Sequence, residues 1–177
     1  MHKYGQEINY RIERLSPDNS RLLGDFSCGN EAIDDYLHEQ ALEDTKNVCY
    51  ICIDEDRNSV AGFAALSCSG IQYVIDQRRE TLPAIQISYF AVANDIQRLV
   101  FDDTDEHFYF SDMLFAEILQ KCREITEEYI GAEYVILYSV PTAKHFYERN
   151  FFKDYSEFMQ SDHYQYLNDC VPMYMQL

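Results

Sequence analysis

Ser111 and Asp112 stand where a strand-like run gives way to a helix-like one, in the stretch IQISYFAVANDIQ–RLVFDDTDEHFY–FSDMLFAEIL from Ile85 to Leu119. A strand that feeds a helix sets the helix's first free N–H groups near the strand's carboxyl end, which suits anions and phosphates above all. Ser111 is the expected N-cap and Asp112 a first-turn carboxylate, so Ser111, Asp112 and Met113 form the candidate phosphate site. The intervening segment holds Asp102, Asp103, Asp105 and Glu106, which would repel a pyrophosphate if they faced it. Glu106 and His107 are candidates to meet a substrate, but a solvated charged loop is the plainer account. No metal is expected, because the acids lack the Asp-x-Asp-x-Asp-Gly spacing of a calcium loop. Cys49 and Cys52 lie three apart in a strand-like run and point to opposite faces, a poor metal clip. His145 reads as a surface or capping histidine.

These residues need elements to hold them. Ile85, Ile87 and Tyr89 alternate with Phe90 and Val92, the pattern of a strand covered on both faces. Leu114, Phe115, Ile118 and Leu119 form the apolar stripe of a helix from Ser111 to about Tyr129, stopped by Gly131. Upstream, Ile8 to Leu15 reads as a first strand, and Asn30 caps a helix from about Glu31 to Glu43 with Ile33, Tyr36, Leu37 and Ala41 inward. VCYICID and SVAGFAALSCSGIQYVI make a hairpin around Glu55–Asn58, followed by a loop from Asp76 to Pro83. Downstream, AEYVILYSV is a strand and Pro141 opens the short helix PTAKHFYERN. Phe152 to Phe158 and Val171 to Leu177 read as closing strands joined by a polar loop from Gln160 to Asp169. The order is mixed α/β in one domain spanning residues 1–177, with an acidic insertion at about 98–109.

Composition narrows the function classes. The 177 residues are 47% hydrophobic and 15% aromatic, which argues for a packed core. The formal charge is −17, from 31 acidic and 14 basic residues. That field repels nucleic acid, which is therefore not expected as a partner, and attracts cations. The opening MHKYGQEINYRIER is polar and no long apolar run follows, so no membrane association and a cytoplasmic location are expected. The six dispersed cysteines read as reduced structural thiols.

Four motifs in order carry a resemblance. Phe26-Ser27-Cys28-Gly29 with Ile33, Asp34, Asp35, Tyr36 and Leu37 resembles a Phe-x-Cys-Gly turn and its amphipathic helix. Phe90-Ala91-Val92 is similar to a Leu-Ala-Val strand. Ala143, Phe146, Tyr147, Phe151 and Phe152 stand at the spacing of Ala-x-x-Phe-Tyr-x-x-x-Gly-Phe, and Pro172-Met173-Tyr174 resembles a last strand. Together they resemble the GCN5-related N-acetyltransferases (GNAT), and within them the toxin–antitoxin type. The resemblance implies a GNAT fold: a central mixed, mostly antiparallel sheet with a V-shaped split and helices on both faces.

It also implies acetyl-CoA as co-substrate, with pantetheine beside Phe90, Ala91 and Val92. Tyr147 would be the acid that protonates the departing thiolate, a role open to a phenol that is neutral at pH 7. Gln97 matches the first position of the pyrophosphate loop, but no glycine follows it, and Tyr109 and Ser111 face the loop's glycines. The glycine before the last Phe is likewise Phe151, with Asn150 able to take a left-handed cap.

Two readings follow. One is acetyl transfer to a primary amine by direct attack. The acceptor would be a small molecule or protein amine such as a polyamine, which suits the acidic field, or charged tRNA as in the toxin relatives. The other is a GNAT-fold binding or regulatory protein that no longer catalyses. A homodimer and an antitoxin partner are compatible with the resemblance, though the sequence indicates neither.

Overall fold

The computed structural model describes residues 8–102, 108–158 and 169–177. Among the described residues there are nine strands and three α-helices: β1 Tyr10–Arg14, α1 Glu31–Asp35, β2 Val48–Asp54, β3 Ser59–Ile75, β4 Arg78–Val92, β5 Val100–Asp102, β6 Phe108–Tyr109, α2 Phe110–Glu128, β7 Tyr134–Ser139, α3 Lys144–Arg149, β8 Lys153–Asp154 and β9 Val171–Gln176. Seven strands form one sheet in the order β1-β2-β3-β4-β7-β9-β8, and β5 pairs with β6. β4 and β7 run parallel from Ala84↔Tyr134 to Ile87↔Leu137, whereas β1–β2, β2–β3, β7–β9 and β8–β9 are antiparallel. The sheet is mixed and mostly antiparallel, as the resemblance implied.

Two compact units are distinguished: Met1–Leu66 with Tyr89–Gln120, and Ser67–Ser88 with Lys121–Leu177. In the first, Phe63 is fully buried, edge-on to Phe26 at 5.6 Å and stacked on Tyr36 at 6.2 Å. Leu37, Ile51, Ile53, Leu114 and Phe115 complete that core. In the second, Val135, Ile136 and Leu137 of β7 and Met173 of β9 are buried, and the Leu177 N–H donates to Glu133 O at 3.0 Å. The thiols of Cys49, Cys52 and Cys122 are buried, and burial pushes each up to about 12. All six cysteines are free, with Cys28 and Cys170 half-buried and Cys68 exposed. Among the described residues, no helix is long and apolar enough to cross a membrane.

Several boundaries differ from the sequence reading. The helix expected from Glu31 to Glu43 is α1 followed by a π-helical turn, Tyr36–Gln40, closed by the Ala41 N–H on Tyr36 O at 2.8 Å. Tyr36 and Leu37, at the start of that turn, are both buried. The supposed loop Asp76–Pro83 is mostly strand, because Asp76 and Gln77 alone turn the chain, with φ of 48° and 66°.

The expected strand Phe152–Phe158 is reduced to Lys153–Asp154 and a 3-10 turn, Ser156–Phe158, which Asp154 starts by accepting from the Ser156 N–H at 2.8 Å. The left-handed residue after α3 is Phe151, φ 70°, rather than Asn150, φ −94°. Asn150 instead donates its side-chain amide to Phe146 O at 2.8 Å. Gly131 is not left-handed; α2 ends earlier, with the Tyr129 and Ile130 N–H groups both on Ile125 O. The loop Gln160–Asp169 lies, apart from Asp169, outside the described residues.

Candidate active site

β4 runs past its last register pair with β7, Ile87↔Leu137, to Val92. Its two faces are covered as the alternation predicted. Tyr89 stacks on Tyr36 at 3.8 Å and 12°, while Phe90 meets Phe115 of α2 edge-on at 5.0 Å. Ala91 and Val92 are buried. Gly62 of β3 lies directly against this end of β4. A Cβ there would sit 2.8 Å from Ala91 O and 2.5 Å from a Leu114 methyl, so only glycine lets β3 approach.

A polar clamp fixes the end of the strand. The Gln97 amide nitrogen donates to Val92 O at 3.0 Å and to Cys28 O at 2.9 Å. The Asn94 N–H donates to Ser27 O at 2.9 Å, and Gly29, φ 85°, leaves room for the Asn94 amide, which a Cβ would approach to 2.9 Å. Asp34 accepts from the Cys28 N–H at 2.8 Å and from the Ser27 hydroxyl at 2.7 Å. Partial burial works against the Asp34 charge, yet these donors hold its carboxyl below the usual range. The Phe26–Gly29 turn is thus fastened to β4. Gln97 is placed as a brace between them.

The helix start is already furnished with an anion. α2 begins at Phe110, one residue before the expected cap, and Tyr109 is the residue that precedes it. The buried Asp112 carboxylate accepts from the Tyr109 N–H at 3.2 Å, and the Phe110 N–H goes to Leu99 O at 2.8 Å. This is the reach-back half of a capping box, with the acid at the third position. Ser111 and Met113 lie in the same first turn. Within the acidic insertion β5 and β6 pair antiparallel, with Val100↔Tyr109 and Asp102↔Phe108 opposed. Asp103, Asp105, Glu106 and His107 lie outside the described residues.

An open cleft of about 870 Å³ adjoins the carboxyl end of β4, lined among others by Arg21, Asp54, Arg57, Ala93 and Asn94. Arg57 is paired with exposed Asp95 and lies 3.6 Å from buried Asp54.

Tyr147 belongs to the second unit, while Phe90–Val92, Gln97 and Ser111–Met113 belong to the first. It sits on α3 between Phe146, 5.1 Å away, and Phe152, 6.1 Å away, both edge-on. Its carbonyl accepts from the Asn150 and Phe152 N–H groups at 3.0 Å each. Burial raises its phenol well above the ordinary tyrosine value, so it remains a proton donor throughout the neutral range. The His145 side chain is 96% exposed and 3.0 Å from Glu148, on the surface as expected. Among the described residues, no group of three or more His, Cys, Asp or Glu is placed to hold a metal.

Sequence reasoning missed Gly62, Asp34 and Asn94 as parts of this site. Asp34 carried a signal, an acid in the first turn after a Phe-x-Cys-Gly turn, but its target was not readable. Gly62 carried one too, since glycine inside a strand marks a close backbone approach.

No protein-family model and no curated protein sequence matches the chain. Solved structures do. A tyrosine-to-phenylalanine mutant of KacT matches with a TM-score of 0.72 at 16% identity, covering 94% of each chain. AtaT complexed with acetyl-methionyl-tRNAfMet matches with a TM-score of 0.68 at 16% identity, over 95% of each chain. A tyrosine-to-phenylalanine mutant of AtaT, bound to the C-terminus of the antitoxin AtaR and acetyl-CoA, matches with a TM-score of 0.65 at 15% identity, over 95% of this chain and 93% of that chain.

Proposed function

Starting from a chain that has the GNAT fold of the toxin acetyltransferases over nearly its whole length, we propose that this protein is a cytoplasmic, acetyl-CoA-dependent N-acetyltransferase. Its acceptor in this reading is the amino group of an aminoacyl-tRNA. The observation that carries the proposal is the likeness to AtaT, seen both with acetyl-CoA and with acetyl-methionyl-tRNA. Acetyl-CoA lies along Phe90, Ala91 and Val92, with backbone N–H groups of that strand end as donors to the thioester oxygen.

The amine attacks the thioester carbon, and the oxyanion forms against those N–H groups. Its collapse breaks the C–S bond, and Tyr147 gives its phenolic proton to the leaving thiolate. The amine's own proton passes to water, from which the phenolate recovers one. Its motif position and a half-buried phenol held neutral support Tyr147 in this role. In both KacT and AtaT, too, a tyrosine was the residue replaced by phenylalanine.

A net charge of −17 favours a second acceptor, a small polycationic amine, because the chain's field attracts cations and repels a polyanion. Free CoA thiol released from acetyl-CoA separates the two. With equal acceptor concentrations, aminoacyl-tRNA should release thiol at least tenfold faster than spermidine or an aminoglycoside. Release driven by the small amines alone would transfer the assignment to them. No release with any acceptor would remove the enzyme reading.

A further inference from the structure

The connection from β4 to α2 has most of its backbone donors already bonded within the chain. A diphosphate held where a strand meets a helix needs N–H groups that point at it, and glycine to bring them close. No glycine stands between Val92 and Asp112. The Ala93 N–H goes to Ala61 O and the Asn94 N–H to Ser27 O, both at 2.9 Å. The Ile96 and Gln97 N–H groups donate to Ala93 O at 3.0 and 3.1 Å, and the Leu99 N–H donates to Ile96 O at 3.0 Å. At the helix start the Tyr109 N–H is held by Asp112 and the Phe110 N–H by Leu99 O.

Charge works in the same direction. The Asp112 carboxylate is buried at that helix start. Between Val92 and Phe110 the sequence sets Arg98 against Asp95, Asp102, Asp103, Asp105 and Glu106. A phosphate approaching this connection meets oxygens and negative charge where it needs donors.

The end of β4 is different. The Ala93 N–H faces β3, so by alternation the N–H and C=O of Phe90 and the N–H of Val92 face the other way, past the last β7 pair at Ile87↔Leu137. The amides of a pantetheine arm can pair with backbone groups there as an added strand would.

We infer that the acyl donor is recognised through its pantetheine arm alone, so that the chain takes acetyl-pantetheine thioesters with or without the nucleotide half of CoA. A field of −17 favours this, because the nucleotide half carries the donor's negative charge. The step is otherwise unchanged: the N–C bond forms, the C–S bond breaks, and the pantetheine thiol leaves protonated in place of the CoA thiol.

The inference rests on the acetyltransferase reading, and titration calorimetry of the full chain separates the two. Acetyl-pantetheine should bind within about tenfold of acetyl-CoA, and adenosine bisphosphate, the nucleotide half alone, should displace neither. With the acceptor that the thiol-release assay selects, kcat/KM for the two donors should likewise agree within about tenfold. Acetyl-CoA bound more than about tenfold tighter, or displaced by the bisphosphate, overturns the inference and leaves the enzyme reading standing. Equal binding of both donors without acetyl transfer to any acceptor removes the enzyme reading and upholds the donor assignment. Binding of neither donor ends both.

Discussion

Tyr147 and Phe151 lie four residues apart, and each turns on a property of a single side chain. Tyr147→Phe keeps the ring between Phe146 and Phe152 and deletes only the donor. Turnover should fall about 10²–10⁴-fold in a thiol-release assay, with acetyl-CoA affinity unchanged. A loss below tenfold would mean that water protonates the thiolate. The pH dependence has a definite sign. The folded phenol titrates above the unfolded one, so its contribution to stability is complete below about pH 10 and is lost as pH rises beyond that. Alkaline melting curves of Tyr147→Phe should therefore decline less steeply than the parent's. Phe151 is 81% exposed with φ 70°, so it pays backbone strain without buried area in return. Phe151→Gly should stabilise the protein by roughly 1 kcal/mol, raising the melting temperature by about 2–4 °C. An unchanged or lower melting temperature would show that the phenyl ring makes up the strain in contacts of its own.

At the scale of elements, the junction of β4 with α2 is decided by two residues that the helix and strand patterns do not single out. Asp112 is the favourable first-turn acid that the helix pattern predicts, but the pattern does not show that it is buried and already bonded to the Tyr109 N–H. Asp112→Asn keeps an acceptor for that N–H and removes the charge. If the start of α2 holds the CoA pyrophosphate, binding should tighten about tenfold, the equivalent of ~1.4 kcal/mol of relieved repulsion. Calorimetric affinity that does not move would place the pyrophosphate elsewhere.

Gly62→Ala forces a methyl against Ala91 O and Leu114, and should cost about 1–3 kcal/mol in denaturant unfolding. It should also weaken acetyl-CoA binding, since Ala91 and Val92 must shift. Full affinity in a destabilised variant would mean that this strand end does not touch the cofactor. Long periodic elements such as β3, β7, β9 and α2 were legible because alternation and helical spacing leave a direct trace in sequence. The π turn at Tyr36–Gln40, the shortened β8 and the left-handed Phe151 were not, because each depends on tertiary packing that overrides local preference.

For the whole molecule, order of motifs was more informative than composition. The Phe26–Gly29 turn and Gln97, far apart in sequence, meet at the end of β4 through the Cys28 and Val92 carbonyls. The resemblance gave the turn and Gln97 as separate motif positions, and their juxtaposition and the roles of Gln97 and Asn94 as braces needed the fold. Composition points away from nucleic acid, whereas the proposed acceptor is an aminoacyl-tRNA, and one measurement confronts the two most directly. Acetyl-CoA labelled in the acetyl group is incubated with the protein and aminoacyl-tRNA, and the label in acid-precipitable tRNA is counted beside a Tyr147→Phe control. The account predicts label on charged tRNA, none on uncharged tRNA, and at least a hundredfold slower labelling with the variant. Acetyl-CoA turnover that leaves charged tRNA unlabelled, or labelling that proceeds equally in the variant, would contradict it.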